Sequence, residues 1–267
     1  MANVTFSSVK AVSFAFLFTL VLFQPSTSYG AILSTDDAIE SILERARLLF
    51  SEMEDEKALE AYQSILEHDP EHFEALWHVV ILHTSIGFRQ SSSRDQEAHY
   101  EQAYDLAGEF IELYPDSAGT HFVYAAAAGR KAQSSGARER VRMSTEIRKH
   151  AEKAVELDPE YSRAWNVLGN WHHRAANLSR LERFAANALF GGAPEGASND
   201  AARDSFARAI EIDPHVILYY HDKADFYLTI GEEEEARRII LKGLELESIA
   251  SDDELWKSNM REMLDDL

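Results

Sequence analysis

The chain has 267 residues, of which 46 are Asp or Glu and 26 are Lys or Arg, so its formal net charge is −20. It has no Cys, and its 12 Gly and 6 Pro are few, which argues against a disulfide scaffold, a zinc finger, a thiol enzyme and a collagen-like chain. Phosphate recognition needs clustered Lys and Arg, so this balance disfavours both nucleic acid and anionic membrane surfaces as partners. The composition indicates an acidic globular protein that is long enough to bury a large core.

Residues 1–30 have the pattern of a secretory signal peptide. Lys10 is their only charged residue, and it precedes an apolar run of 13 residues from Ala11 to Phe23. A membrane-spanning helix needs about 20 apolar residues, so this run fits the shorter core of a signal peptide. Ser28 and Gly30 suit cleavage after residue 30. The sequence therefore predicts export to the periplasm or the extracellular space, with an uncleaved signal anchor in a membrane as the alternative.

The hydrophobic pattern of residues 31–267 is helical almost throughout. Between Thr35 and Phe50, for example, apolar residues recur at spacings of three and four, and acidic residues directly after Thr35 favour the start of a helix. No segment shows the sustained alternation that is typical of a half-buried strand. The sequence predicts an all-α fold in one domain that spans residues 31–267.

Four prolines mark a repeat of helix pairs. They are Pro70, Pro115, Pro159 and Pro214, at spacings of 45, 44 and 55 residues. Each follows an acidic residue or Tyr at the end of a predicted helix whose apolar face carries small residues. Small residues let two helices pack closely, and Pro ends the second helix. The pattern resembles the 34-residue tetratricopeptide repeat with insertions. We predict an α-solenoid of degenerate tetratricopeptide-like pairs, with insertions near residues 88–94, where Ser91-Ser92-Ser93 indicates a loop, and near residues 133–140. A C-terminal capping helix follows, with a capping box of Ser251 and Glu254.

The longest insertion lies between Trp165 and Phe206. The segment from Ser162 to Leu189 has no Pro and one Gly, which predicts one continuous helix of about 40 Å. Such a helix would brace two repeats or form the wall of a ligand groove.

The same segment carries a family resemblance. Its tryptophan-bearing helix Leu168-Gly169-x-Trp171 is followed by Leu178-Ser179-Arg180-Leu181-Glu182-Arg183 and by a turn at Leu189-Phe190-Gly191-Gly192-Ala193-Pro194. In order and spacing these motifs resemble the regulator of microtubule dynamics family, clearly over residues 155–247 and loosely over the remaining repeats. Eukaryotic members associate with microtubules or are anchored on mitochondria, and phospholipid binding is attributed to one member's repeat domain. With the signal peptide, the resemblance implies an exported bacterial relative.

Motifs for catalysis and cofactor binding are missing from the sequence. It has no Gly-rich phosphate loop, no Gly-x-Ser-x-Gly elbow and no His-Glu-x-x-His. Among the 11 His residues, His172 and His173 are adjacent, so on a helix they point about 100° apart and do not chelate one metal together. We therefore predict a protein that is not an enzyme and has no metal site or cofactor.

The resemblance to tetratricopeptide repeats predicts which residues face a groove. In such repeats the first helix of each pair lines a concave surface. With Trp165 at the fourth repeat position, and with other pairs aligned on Trp77, Tyr227 and Ala236, the groove-facing residues are His78, Asn166, Asn170, Arg174, His221 and Asp225. Amide and imidazole groups suit a peptide backbone or a carboxylate, although a solvated polar surface has the same composition. Trp77, Trp165 and Trp171 are expected in the core.

These observations favour one function and leave a second open. The sequence predicts a non-enzymatic exported scaffold that binds a protein or peptide partner in its concave groove. The alternative is a carrier of a lipid or another amphipathic ligand.

Overall fold

The computed structural model describes residues 35–190 and 195–267, so the predicted signal peptide lies outside the described residues. Over these ranges the chain forms only helices, which confirms the all-α prediction. They are α1 (Thr35–Ser51), α2 (Asp55–His68), α3 (Phe73–Arg89), α4 (Ser93–Leu113), α5 (Ala118–Ser134), α6 (Ala137–Leu157), α7 (Ser162–Ala176), α8 (Arg180–Phe190), α9 (Asn199–Ile212), α10 (Ile217–Thr229), α11 (Glu233–Glu245) and α12 (Asp253–Asp265). None of the described helices is long and apolar enough to cross a membrane.

The helices pack in consecutive pairs. The pairs are α1 with α2, α3 with α4, α5 with α6, α7 with α9, and α10 with α11; α8 is inserted in the fourth pair. The first helices of neighbouring pairs also pack together, α3 on α5, α5 on α7, and α7 on α10. The last helix, α12, covers α10 and α11. This arrangement confirms a solenoid of tetratricopeptide-like pairs.

Small residues bring the helices of a pair close together, as the pattern before each proline predicts. The alanines that precede the prolines are fully buried, among them Ala58, Ala103, Ala107, Ala151, Ala154, Ala202 and Ala209. Gly169 of α7 is the tightest example, because a Cβ atom built there would lie 2.6 Å from the Phe206 ring of α9. The interior is close-packed at this contact, so glycine is required for the two helices to approach as they do.

A repeated hydrogen bond fixes the register of the pairs. The side chain six residues after a turn proline bonds to the carbonyl oxygen of that proline, at 2.8–2.9 Å, in three of the pairs. The bonds join His121 to Pro115, Trp165 to Pro159, and Tyr220 to Pro214. Three different side chains thus satisfy the same turn carbonyl, which has no partner in the helix. The role of this position is therefore structural.

The first two predicted insertions each contain a connection between helices, but it is short and the rest of each insertion is helical. Helices α3 and α5 have 17 residues, and α4 and α6 have 21. Only residues 90–92 and 135–136 remain as connections. The extra length relative to a 34-residue repeat is therefore taken up mainly by additional helical turns.

The predicted continuous helix from Ser162 to Leu189 is wrong. α7 ends at Ala176, and Asn177 caps it, because its Nδ2 donates to the carbonyl oxygen of His173 at 2.8 Å. The same Nδ2 also bonds to Oδ1 of Asn199 at 2.8 Å, which fixes the start of α9 beside the break. Asn competes with the helical backbone for hydrogen bonds, so it favours a helix end over a helix interior.

The predicted capping box of α12 is also wrong. The carboxylate of Asp253 accepts from the backbone N–H groups of Ile249 and Ala250, both at 2.8 Å. Glu254 accepts from the hydroxyl of Ser248 instead of reaching back to Ser251. An acidic side chain inside the helix therefore organises the preceding turn.

Candidate functional site

We call the surface formed by the first helices α3, α5, α7 and α10 the groove face. The ring–proline bonds fix its register, because the residue after each ring is Phe122 in α5, Asn166 in α7 and His221 in α10. In α3 the ring position is held by the buried Leu76, so the equivalent groove residue is Trp77, and His78 lies one position later. The groove face is thus aromatic on α3 and α5 and polar on α7 and α10.

Three predicted groove residues converge on a carboxylate that sequence reasoning missed. The side-chain amides of Asn166 and Asn170 donate to Oδ2 of Asp222 at 2.7 and 2.6 Å, and Nδ1 of His221 lies 3.0 Å from its Oδ1. Burial alone would raise the pKa of Asp222, but the hydrogen bonds from His221 and the two amides outweigh it and hold this pKa below its usual value. The donors of this cluster are therefore engaged within the protein.

Asp225 and Arg174 lie beside this cluster, towards solvent. Nε2 of His173 is 3.3 Å from Oδ2 of Asp225, and this hydrogen bond is the main reason that the pKa of Asp225 is lowered. Arg174 is exposed, and its positive charge lowers that pKa further. The side chain of Asp225 keeps 42% of its surface exposed. These two charges remain accessible. The ring of His173, which the sequence pattern does not place among the groove residues, is buried.

The C-terminal helix covers the polar part of the groove face. The indole of Trp256 lies 4.6 Å from the ring of His221 and stacks on Phe88 of α3 at 4.5 Å. Arg89, the last residue of α3, forms an ion pair with Asp252, which precedes α12. Only 7% of Trp256 is exposed. α12 therefore joins the second helix pair to the fifth and closes this part of the surface.

An open pocket remains on the aromatic part. It has a volume of about 520 Å³ and lies where the starts of α3, α5 and α7 meet. Phe73, Trp77 and Tyr161 form aromatic walls, and Glu74 lies among the polar residues of its lining. Gly119 contributes no side chain, and a Cβ atom built there would contact the Trp77 indole at 3.5 Å. The pocket is therefore a mainly apolar recess that can take a side chain from outside.

His78 supports the wall of this pocket. Its ring stacks on Tyr62 at 4.3 Å and meets Phe50 and Trp77 edge-on, each at 4.9 Å. Its Nδ1 lies 2.9 Å from the carbonyl oxygen of Glu74. Burial is the main cause that lowers the pKa of His78, so the ring is neutral at neutral pH. It can hold the Trp77 indole in place without carrying charge.

The described part of the chain holds no group of three or more His, Cys, Asp or Glu side chains that could bind a metal ion. The adjacent imidazoles diverge, since His172 contacts the ring of Trp171 while His173 bonds to Asp225. The arrangement on the groove face is suited to molecular contact.

Comparison with known proteins found sequence matches over most of the chain. Residues 42–267 match the sequence model described as "Regulator of microtubule dynamics protein 1-3". Regulator of microtubule dynamics protein 3 of Rattus norvegicus is 26% identical over 249 residues, which cover 89% of this chain and 52% of that protein. Regulator of microtubule dynamics protein 1 of Mus musculus is 26% identical over 190 residues, covering 70% of this chain and 61% of the relative. The chain thus spans about half to three fifths of these relatives.

A solved structure shares the fold. A thermophilic TPR protein from Thermus thermophilus superposes with a TM-score of 0.61 at 18% identity, over 85% of this chain and 98% of that one. At this identity the likeness concerns the fold alone.

Proposed function

Because the chain belongs to the regulator of microtubule dynamics family, we propose that it is a non-enzymatic scaffold that binds a segment of a protein partner on its groove face. Folds of this kind present extended surfaces for protein or peptide contact. The observation that carries the proposal is the open pocket beside Trp77. Aromatic side chains that line an accessible recess are typical of binding hot spots.

The pocket suits an apolar side chain of the partner. Its walls are the rings of Phe73, Trp77 and Tyr161, and the missing side chain of Gly119 leaves room beside the indole. Arg163 lies at the rim, with its guanidinium 5.9 Å from the centre of the Trp77 ring. A partner backbone that crosses α3, α5 and α7 could therefore place one anchor in the recess and make polar contacts around it.

The lipid alternative has less support. A carrier for acyl chains needs an enclosed apolar cavity, and Phe184, a candidate wall residue on the inserted helix α8, has 70% of its surface exposed. The pocket at Trp77 is open to solvent and has Glu74 and Asp158 in its lining. Native mass spectrometry of the purified protein separates the two functions, since a carrier retains bound lipid and a peptide-binding scaffold does not.

The test of the proposal blocks the pocket without removing its walls. Peptides selected from a displayed random library on the immobilised protein would be measured by fluorescence anisotropy with the original chain and with Gly119→Leu. We expect the leucine to fill the recess and to weaken binding by about tenfold or more. Phe184→Ala, a change at an exposed aromatic residue elsewhere, is the matched control and should leave affinity unchanged. Equal affinity for the original chain and Gly119→Leu refutes a role for this pocket.

We also propose that this scaffold is exported. The support is the charge and apolar pattern of residues 1–30, with Lys10 before the run from Ala11 to Phe23. Mass spectrometry of the protein from the producing cells tests this directly. An amino terminus at Ala31 in the envelope or medium fraction supports export, whereas an intact Met1 in the membrane fraction supports the signal anchor.

A further inference from the structure

The end of α5 and most of α6 form a basic region in this acidic chain. Eight of the 26 Lys and Arg residues, but only three of the 46 Asp and Glu residues, lie between residues 130 and 153. The pocket at Trp77 does not include this region, so the inference below stands independently of the proposed function.

The first turn of α6 runs against the usual electrostatic preference of helices. The helix dipole favours acidic residues near the amino end, and α1, α2, α11 and α12 each place at least two there. In α6, Glu139 is flanked by Arg138 and Arg140, and the preceding residue Gly136 provides no side-chain cap. Arg140 donates to the carbonyl oxygen of Ser135 just before the helix. Arg138 is a cation at the positive end of the helix dipole, so helix formation does not account for it.

The basic side chains of α6 lie along one face, which we call the basic stripe. The basic stripe consists of Arg138, Arg142, Lys149 and Lys153. The last three lie four, eleven and fifteen residues after Arg138, so all four fall within about 60° of one another around the helix. The other side of the helix carries the buried Met143, Ala151 and Ala154. The stripe is about 22 Å long, which matches about seven residues of an extended chain.

Part of the positive charge on the stripe is not neutralised. Arg142 pairs with Glu139 at 2.5 Å, and Lys153 pairs with Glu156 at 2.9 Å. Arg138 and Lys149 are exposed and form no ion pair with any residue in the described part of the chain. A second cavity of about 520 Å³ lies beside the carboxyl half of the stripe, and its charged lining consists of Arg148, Lys149 and Lys153 with Glu152 and Glu156. The two glutamates pair with Arg148 and Lys153, so Lys149 is the cation of this lining that forms no ion pair with a described residue.

We propose that the basic stripe binds an acidic segment of a partner protein. Unpaired cations on a rigid helix beside a recess complement the carboxylates of an extended chain. A short acidic segment interacts mainly with the stripe, because charges farther away than about 10 Å are screened at moderate salt. A nucleic acid or an anionic membrane is a larger polyanion that also meets the surrounding acidic surface, so the formal charge of −20 disfavours it.

The test uses a fluorescein-labelled peptide of about eight glutamates, chosen to match the stripe. Anisotropy would be measured with the full chain at about 50 mM and about 200 mM salt. We expect binding that weakens with salt, and a loss of about tenfold or more in the variant Arg138→Glu/Arg142→Glu/Lys149→Glu. Glutamate at residue 138 suits the amino end of a helix, so circular dichroism should show α6 retained.

The matched control reverses the same number of charges at exposed residues elsewhere, Arg45→Glu/Arg94→Glu/Lys242→Glu. Binding within about twofold of the original chain supports the stripe, whereas a loss equal to that of the stripe variant shows attraction to total charge and overturns the proposal. No binding of the peptide at low salt also overturns it. Tighter binding to single-stranded DNA or to phosphatidylserine vesicles than to the peptide refutes an acidic protein segment as the ligand.

Discussion

Mild acid should destabilise the protein through His83, a buried histidine of α3 that contacts His99 of α4. Nδ1 of His83 lies 2.9 Å from Nδ1 of His99, and its Nε2 lies 3.4 Å from the amide nitrogen of Gln63. Only 4% of His83 is exposed. Burial, with a smaller contribution from His99, lowers the pKa of His83 from 6.5 to about 4. The folded protein therefore holds this ring neutral at a pH where the unfolded chain protonates it.

The magnitude and its sign follow from linkage. Because the pKa is lower in the folded state, the stability contribution is fully present above pH 6.5 and is lost as the pH falls towards about 4. Each tenfold change in proton affinity corresponds to about 1.4 kcal/mol, so the complete loss is about 3 kcal/mol. At pH 5, between the two pKa values, about 2 kcal/mol should already be lost.

The assay is urea unfolding at several pH values, with variants that isolate this one ring. His83→Asn keeps a polar group near the position of Nδ1 but removes the titration. The difference in free energy of unfolding between the original chain and this variant should shrink by about 2 kcal/mol between pH 7.5 and pH 5. His215→Asn, the same change at an exposed histidine, is the matched control. A difference for His83→Asn that stays constant within about 0.5 kcal/mol refutes the reasoning.

Three further predictions concern the packing of α7 on α9, the Asp222 cluster and the C-terminal helix. Gly169→Ala places a methyl group 2.6 Å from the Phe206 ring, so calorimetry should show a loss of about 1–3 kcal/mol in the free energy of unfolding. The control is Gly108→Ala, which meets nothing within 4 Å and should stabilise α4 by up to about 1 kcal/mol. Equal effects of the two changes contradict the close contact. Asp222→Asn removes a charged acceptor from three donors and should lower the free energy of unfolding by about 1–3 kcal/mol in urea at pH 7. Because the pKa of Asp222 is lowered in the folded protein, this loss should diminish as the pH falls below the usual pKa of an Asp side chain. A loss that is independent of pH speaks against this account. Trp256→Ala should cost about 3–5 kcal/mol and speed hydrogen exchange at the end of α3 as well as in α12, and a change confined to α12 contradicts the closing contact.

The helical pairs could be predicted from sequence because their signals are local. Apolar spacing, small residues and the prolines from Pro70 to Pro214 act within single helices or turns, so one sequence is enough to see them. The register on α3 could not be obtained this way. The ring–proline bond uses His121 in one repeat and Tyr220 in another, whereas α3 has Leu76 at that position. The alignment on the adjacent Trp77 therefore shifts the predicted groove residue of α3 by one position, to His78.

The internal contacts of the candidate site required the structure. Arg89 and Asp252 are 163 residues apart, and no periodicity in the sequence relates them. Asp222 follows a residue that was predicted to face the groove, but its role depends on amides of α7 that lie 56 and 52 residues earlier in the chain. The break at Asn177 was visible only as one residue with a weak helix preference, which a tertiary contact with Asn199 turned into a helix end.

The central claim is that the aromatic recess beside Trp77 receives an anchor of the partner. Hydrogen-exchange mass spectrometry of the complex with a selected peptide tests it most directly. The account predicts slower exchange at the starts of α3, α5 and α7, and no such protection in Gly119→Leu. Protection restricted to other surfaces, or unchanged in Gly119→Leu, contradicts it.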